Sequence, residues 1–140
     1  MEYLILTNNG SIGQWPGFAV VRVQGGLDAV YRVLSEHLQN GYELISTPIP
    51  ANVPLIRSPV RSIILRKTTR KYDARGLIAL EKAQERTDVL GIIDEERTRS
   101  DLELIDKNQL GRTVRQLTEL TEAMFNFPAV SGITTGQEAL

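Results

Sequence analysis

Residues 40–67, NGYELISTPIPANVPLIRSPVRSIILRK, contain two short apolar runs separated by a proline-rich connection. The runs YELIST (42–47) and RSIILRK (61–67) are rich in β-branched, aromatic and other apolar residues, a composition typical of strands. Four prolines between 48 and 59 fix φ and remove backbone donors, so this connection cannot be a central strand. We therefore predict two strands joined by an extended, stiffened surface loop.

The residues before this stretch predict two more strands and a helix. YLILT (3–7) and FAVVRV (18–23) are apolar runs next to turn-forming residues, as strands usually are. Between 27 and 40 the apolar residues recur at three- and four-residue spacings, which places them on one face of a helix. Gly41 follows where a helix commonly ends. The order β-β-α-β-β predicts an α/β fold with a small sheet of about four strands.

The residues after 69 predict two helices. ARGLIALEKAQERTDVL (74–90) carries apolar residues at helical spacing, and Gly91 interrupts it. Ser100 and Glu103 form a capping-box pattern that predicts the start of a second helix, which ends before Pro128.

The predicted domain organisation is a single domain with three parts. Residues 1–69 form the α/β core, and residues 70–127 form a two-helix extension that packs on the core or on another subunit. Residues 128–140 have little apolar surface to bury, and we expect a mobile tail there. Because the two helices are long for a small sheet to cover, they predict a homo-oligomer.

The charges are unevenly distributed along the chain. The formal net charge is −1, yet residues 57–75 contain seven bases and a single acid, Asp73. Residues 76–108 contain nine acids and five bases. The basic tract could bind an anion or an acidic partner, or it could be solvated or neutralised by the acidic helices. Only Tyr72 adds an aromatic ring to the tract, so a nucleic-acid partner is not expected.

Composition excludes several classes of protein and of site. The chain of 140 residues has no cysteine, which rules out disulfides, thiol redox chemistry and zinc–thiolate sites. No apolar run approaches the ~20 residues of a membrane-spanning helix. The first residues have no basic segment before an apolar one, so we expect no secretory signal and a cytoplasmic protein.

The titratable residues form no recognisable catalytic constellation. His37 is the only histidine, and its place at the edge of the helical apolar face predicts a packed or half-exposed ring. The helical acids are mixed with bases, which indicates a solvated face. We predict no catalytic residue, no metal ligand and no cofactor.

Two loops provide the candidate binding residues. The turn after the first strand is rich in glycine and polar side chains, and the proline-rich connection carries arginines and hydroxyls that suit a planar anion. The candidate ligand- or partner-binding residues are Asn8, Asn9, Ser11, Thr47, Asn52, Arg57, Ser58, Arg61 and Ser62. If residues 61–62 are extended, the side chains of Arg61 and Ser62 face opposite sides of the chain. Arg57, Ser58, Arg61 and Ser62 therefore cannot all line one pocket.

A family resemblance is carried by three segments: LILTNN (4–9), GYELISTPIPANVPLIRSPVRSIIL (41–65) and SDLELIDK (100–107). In these segments the chain resembles the GrdX-like proteins, which are encoded with glycine reductase in amino-acid-fermenting anaerobes. In that family a strand ending in Thr-Asn-Asn opens the chain, and a proline-containing loop leads to a Pro-x-x-Ser strand. The matching positions are 7–9, Gly41 at the end of the helix, 47–48, and 59–62. The resemblance implies an operon context and an accessory role, and it implies no reaction.

These observations lead to one main functional hypothesis and two alternatives. The main one is a non-catalytic accessory or regulatory binding protein linked to glycine reductase metabolism, which binds a reductase-system protein or a small anion through residues 48–62. One alternative is a small enzyme with a pocket between the 8–13 and 48–62 loops. The other is a structural homo-oligomer.

Overall fold

The protein has an α/β fold in a computed structural model that describes residues 2–46 and 57–126. This architecture confirms the predicted fold class: a four-stranded sheet with a helix after its second strand and two helices at the C-terminal side. The elements are β1 (Tyr3–Thr7), β2 (Ala19–Arg22), α1 (Leu27–Leu38), β3 (Tyr42–Leu44), β4 (Ser62–Lys67), α2 (Ala74–Leu90) and α3 (Glu96–Asn126).

The sheet is mixed and has the strand order β2-β1-β4-β3. β1 pairs with β2 in parallel and with β4 antiparallel, with Ile5 opposite Ile64. β3 pairs with β4 antiparallel and lies at the edge of the sheet. The two strands that flank the proline-rich connection are therefore neighbours, and the most apolar strands, β1 and β4, lie at the centre.

One face of the sheet carries the apolar core. Side chains alternate along a strand, so Leu4 and Leu6 of β1 lie on the same face, as do Ile63 and Leu65 of β4. α1 packs on this face, because its apolar residues are spaced to form one stripe, and α2 adds Leu80. The remaining members of this cluster are Leu27, Val30, Tyr31, Leu34, Leu38 and Ala83.

The opposite face becomes polar where β1 ends and β4 begins. Ile5 and Ile64 are fully buried on it, and Thr7 and Ser62 come next to each other in the ladder. Both are short hydroxyl side chains, and Thr7 is also fully buried. A buried hydroxyl needs a hydrogen-bond partner, so this end of the sheet requires a polar covering element.

The last helix starts earlier than the capping-box pattern predicts. α3 begins at Glu96, and Ser100 lies inside it, so the predicted start at Ser100 is wrong. The first turn is formed instead by Glu95 and Thr98. The backbone N–H and the hydroxyl of Thr98 both donate to the Glu95 carbonyl. Capping chemistry fixes the start of α2, where the Asp73 side chain accepts a hydrogen bond from the Gly76 amide.

The chain divides into two compact units, Met1–Asn108 and Gln109–Leu140. The first unit contains the sheet, α1, α2 and the first part of α3. None of the helices in the described part of the chain is long and apolar enough to cross a membrane.

Candidate functional site

Asn8 connects the end of β1 to the residues that precede β4. Its amide nitrogen donates to the carbonyl oxygens of Pro59, at 2.8 Å, and of Gly25, at 3.2 Å. Its amide oxygen accepts the backbone N–H of Arg61 at 2.9 Å. One side chain thus ties the end of the proline-rich connection to the loop after β1.

Asn9 is fully buried and uses both ends of its side-chain amide. Its oxygen accepts from the backbone N–H of Ser11 at 2.9 Å and from the Ser11 hydroxyl at 2.7 Å. Its nitrogen donates to the Glu103 carbonyl and to Oδ2 of Asp106, both at 2.9 Å. Asn9 therefore fixes the turn after β1 and also binds the first part of α3.

A chain of hydrogen bonds then runs between the strands and α3. The Asn9 backbone N–H donates to Thr7 Oγ1 at 2.9 Å, and Thr7 Oγ1 lies 2.7 Å from Ser62 Oγ. Ser62 Oγ lies 2.6 Å from Asp106 Oδ2. An ionised carboxylate only accepts, so Ser62 donates to Asp106 and Thr7 donates to Ser62. We call Thr7, Asn9, Ser62 and Asp106 the polar cluster.

The cluster places a carboxylate near a buried cation. Burial raises the pKa of Asp106, and the hydrogen bonds from Ser62 and Asn9, together with the charge of Arg61, oppose that rise. Burial lowers the pKa of Arg61, a residue that is only 4% exposed. Electrostatic interactions with Tyr31 and Asp106 oppose this decrease. The Arg61 guanidinium also donates to the Ser58 carbonyl at 2.8 Å.

One of the comparisons with known proteins identifies the family of the chain. A family model described as "GrdX-like protein" matches residues 4–115. The chain belongs to the GrdX-like family. The match includes every member of the polar cluster and extends well past the strands. No curated protein and no solved structure matches the chain.

The GrdX-like chain brings together six of the predicted site residues. They are Asn8, Asn9, Ser11, Ser58, Arg61 and Ser62, and they bond to one another or to the same strand ends. Arg57 is exposed, and its carbonyl accepts the backbone N–H of Ile93 at 2.9 Å. Thr47 and Asn52 lie outside the described residues.

Asp106 is the residue that sequence reasoning missed. The interpretation of the helical acids as a solvated face is wrong for it, because its carboxylate accepts hydrogen bonds from Ser62 and Asn9. The only available signal was the segment SDLELIDK (100–107), which carries the family resemblance and contains this aspartate. Its partner in the loop is 97 positions away, so no local pattern could connect them.

The basic tract of the GrdX-like chain is partly neutralised, mainly by acids of the sheet. The Arg66 guanidinium lies 2.6 Å from Glu43 across the β3–β4 pair, and this bond raises the pKa of Arg66. Lys67 lies 4.0 Å from Glu2, a long and exposed pairing. Arg61 faces Asp106 from the acidic segment.

His37 matches the packed or half-exposed ring expected from its spacing. Its Nδ1 donates to the Val33 carbonyl at 2.9 Å, and its ring meets Tyr42 edge-on at 5.2 Å. Within residues 2–46 and 57–126, no group of three or more His, Cys, Asp or Glu side chains could hold a metal ion.

Proposed function

We propose that this GrdX-like protein is a non-catalytic accessory or regulatory binding protein of anaerobic glycine reductase metabolism. It contacts a reductase-system protein or a small anionic ligand through the 48–62 connection. The link to glycine reductase rests on the family, and the choice of binding over catalysis rests on the polar cluster.

The observation that carries the proposal is the way in which residues 58–62 are held. Asn8 binds the backbone at Pro59 and Arg61, and Arg61 binds the Ser58 carbonyl from a buried position. Ser58 Oγ accepts the Val60 amide at 3.1 Å. Binding loops work best on a rigid support, because less entropy is lost when the partner binds. Arg57 is exposed directly before this clamped segment.

The same bonds favour binding over the enzyme alternative. In the polar cluster, the Ser62 hydroxyl proton is already directed to Asp106, and the Thr7 hydroxyl is directed to Ser62. A nucleophile or general base needs a lone pair that faces substrate, and the Ser62 oxygen already accepts the Thr7 hydroxyl. These hydroxyls are committed to holding α3 against the strand ends.

Arg57→Ala is expected to reduce partner recovery without affecting stability. Wild-type protein used as bait in a native lysate of a glycine-fermenting anaerobe should enrich reductase subunits, and Arg57→Ala should recover about tenfold less. Arg86→Ala, which removes an exposed arginine from α2, is the matched control and should recover as much as wild type.

Arg61→Ala distinguishes a structural arginine from a binding one. Because it removes a buried cation near Asp106, it should lower the free energy of unfolding by on the order of 3 kcal/mol.

Equal enrichment by Arg57→Ala and wild type would contradict the proposed binding surface. Recovery of the bait alone in every case would leave a small anion as the ligand, which a thermal-shift panel of anions would then identify.

A further inference from the structure

Residues 68–73 are fixed through their backbone to Gly41, the residue that directly precedes β3. The Gly41 amide donates to the Lys71 carbonyl at 3.0 Å, and the Thr68 amide donates to the Gly41 carbonyl at 2.8 Å. Gly41 has φ +91°, a left-handed backbone conformation that glycine adopts without the strain of a side chain. The side chains of Arg70 and Lys71 are exposed.

The two acids in this region already serve internal contacts. Asp73 accepts the Leu44 amide on one oxygen, at 2.8 Å, and the Gly76 amide on the other, at 3.0 Å. Glu43 binds Arg66 at 2.6 Å. The amide of Leu44 and the start of α2 are therefore satisfied. Glu43 is paired with Arg66, which leaves Asp73 as the acid that offsets the three nearby cations.

An open groove of about 930 Å³ lies between β3 and the start of α2. Residues 43–46 line one side, and residues 70–76 with Ala79 line the other. The cations that line the groove are Arg70, Lys71 and Arg75, and all three are exposed. Arg70 comes only within 3.7 Å of Glu43, and in the described part of the chain neither Lys71 nor Arg75 forms an ion pair. We call this surface the basic groove.

We propose that the basic groove docks an extended acidic segment of a partner protein. Three cations within six residues match carboxylates that are spaced along a chain. A small anion would instead need an enclosed site with donors that converge on it, and this groove is open. The Leu44 amide of β3 and the Gly41 amide just before it are already bonded, so side-chain charge rather than strand addition provides the attraction.

This surface goes beyond the proposed function, because Arg57 does not line it. A partner could therefore bind at the groove, at the 48–62 connection, or at both. The two proposals fail independently: unchanged decaglutamate binding in a groove variant says nothing about recovery of reductase subunits by Arg57→Ala.

The test measures binding of fluorescein-labelled decaglutamate by anisotropy in low-salt buffer. The charge-reversed variant Arg70→Glu/Lys71→Glu/Arg75→Glu should raise the Kd at least about tenfold. Arg32→Glu/Lys82→Glu/Arg86→Glu reverses the same number of exposed charges on α1 and α2, and it should change the Kd less than about twofold. Arg57→Ala should bind decaglutamate as wild type does.

Lys71→Ala/Arg75→Ala provides the test if charge reversal unfolds the chain, because neither side chain has an ion pair to lose in the described residues. It should weaken binding several-fold with an unchanged thermal midpoint. Equal weakening by groove and control variants would show general electrostatic attraction and overturn the proposal. Displacement of decaglutamate by equimolar inorganic phosphate would show a small-anion site and would also overturn it, as would no binding of decaglutamate by wild type.

Discussion

At the scale of single residues, Asp106 shows how one atom can hold two elements together. Oδ2 of this carboxylate accepts both the Asn9 amide and the Ser62 hydroxyl. Since both bonds reach the same oxygen, an asparagine carbonyl in that place could accept both. Charge and hydrogen bonding can thus be separated experimentally at this position.

Asp106→Asn and Asp106→Ala should therefore differ sharply in stability. The asparagine variant keeps both acceptor contacts. It removes a charge that burial disfavours but that also stabilises the buried Arg61, so the two effects offset and its free energy of unfolding should stay within about 1 kcal/mol of wild type. The alanine variant leaves Asn9 and Ser62 without this acceptor and should lose about 2–3 kcal/mol. Urea denaturation at neutral pH measures both. Equal losses of unfolding free energy in the two variants would contradict the proposed role of Oδ2 as the acceptor of both hydrogen bonds.

The pH dependence of the same pair tests the electrostatics. Burial raises the pKa of Asp106 in the folded state, so the folded chain binds this proton more tightly than the unfolded chain does. The free energy of unfolding should consequently fall as pH rises from the ordinary aspartate pKa through the raised one. Asp106→Asn lacks this titration, so its stability relative to wild type should increase across that window. Parallel pH profiles would contradict the raised pKa.

At the scale of elements, the start of α2 shows a local rule overridden by packing. Glycine normally weakens a helix by about 1 kcal/mol relative to alanine. At Gly76, however, a Cβ would lie 2.5 Å from Oδ2 of Asp73 and 3.2 Å from Leu38 Cδ2. The capping aspartate also holds the Leu44 amide, so it cannot move without breaking the contact with β3.

Gly76→Ala should for that reason destabilise the protein by about 1–3 kcal/mol, despite the better helix propensity of alanine. Gly13→Ala is the matched control, because a Cβ there meets nothing within 4 Å, and its effect should stay within about 0.5 kcal/mol. Thermal and urea denaturation report both changes. A stabilised Gly76→Ala variant would show that Asp73 can cap α2 in another position.

The elements themselves were largely predictable, whereas their ends were not. Apolar runs and helical spacing indicated β1, β2, β4, α1 and α2 near their observed positions, because these signals are properties of short windows. The capping box at Ser100 failed, because the chain is already helical from Glu96. Ile93 is bonded to the Arg57 carbonyl just before that start, a contact that the local sequence does not encode.

At the scale of the whole molecule, we propose that the chain forms a homo-oligomer through its C-terminal helices. α3 continues to Asn126, and Leu120 on it is 60% exposed. An exposed leucine on a long helix loses water contact when a second copy packs against it, which favours association.

Sedimentation equilibrium should find wild-type protein larger than a monomer. Leu120→Glu should weaken association by about tenfold or more, because it would bury a charge at the interface. Gln14→Glu adds the same charge at an exposed position outside both C-terminal helices and should leave the mass unchanged. A strictly monomeric wild-type protein would contradict this proposal.

The sequence by itself determined the kinds of element, their order and the chemistry that the chain lacks. These follow from composition and from periodicity within short windows. Only the tertiary structure decided that β1 lies between β2 and β4, that Arg61 is buried, and that Asp106 meets Asn9 across 97 positions. The physical reason is that the environment of a polar group depends on which distant residues surround it. The family resemblance pointed to the right segments, and folding turned their polar residues into one hydrogen-bonded cluster.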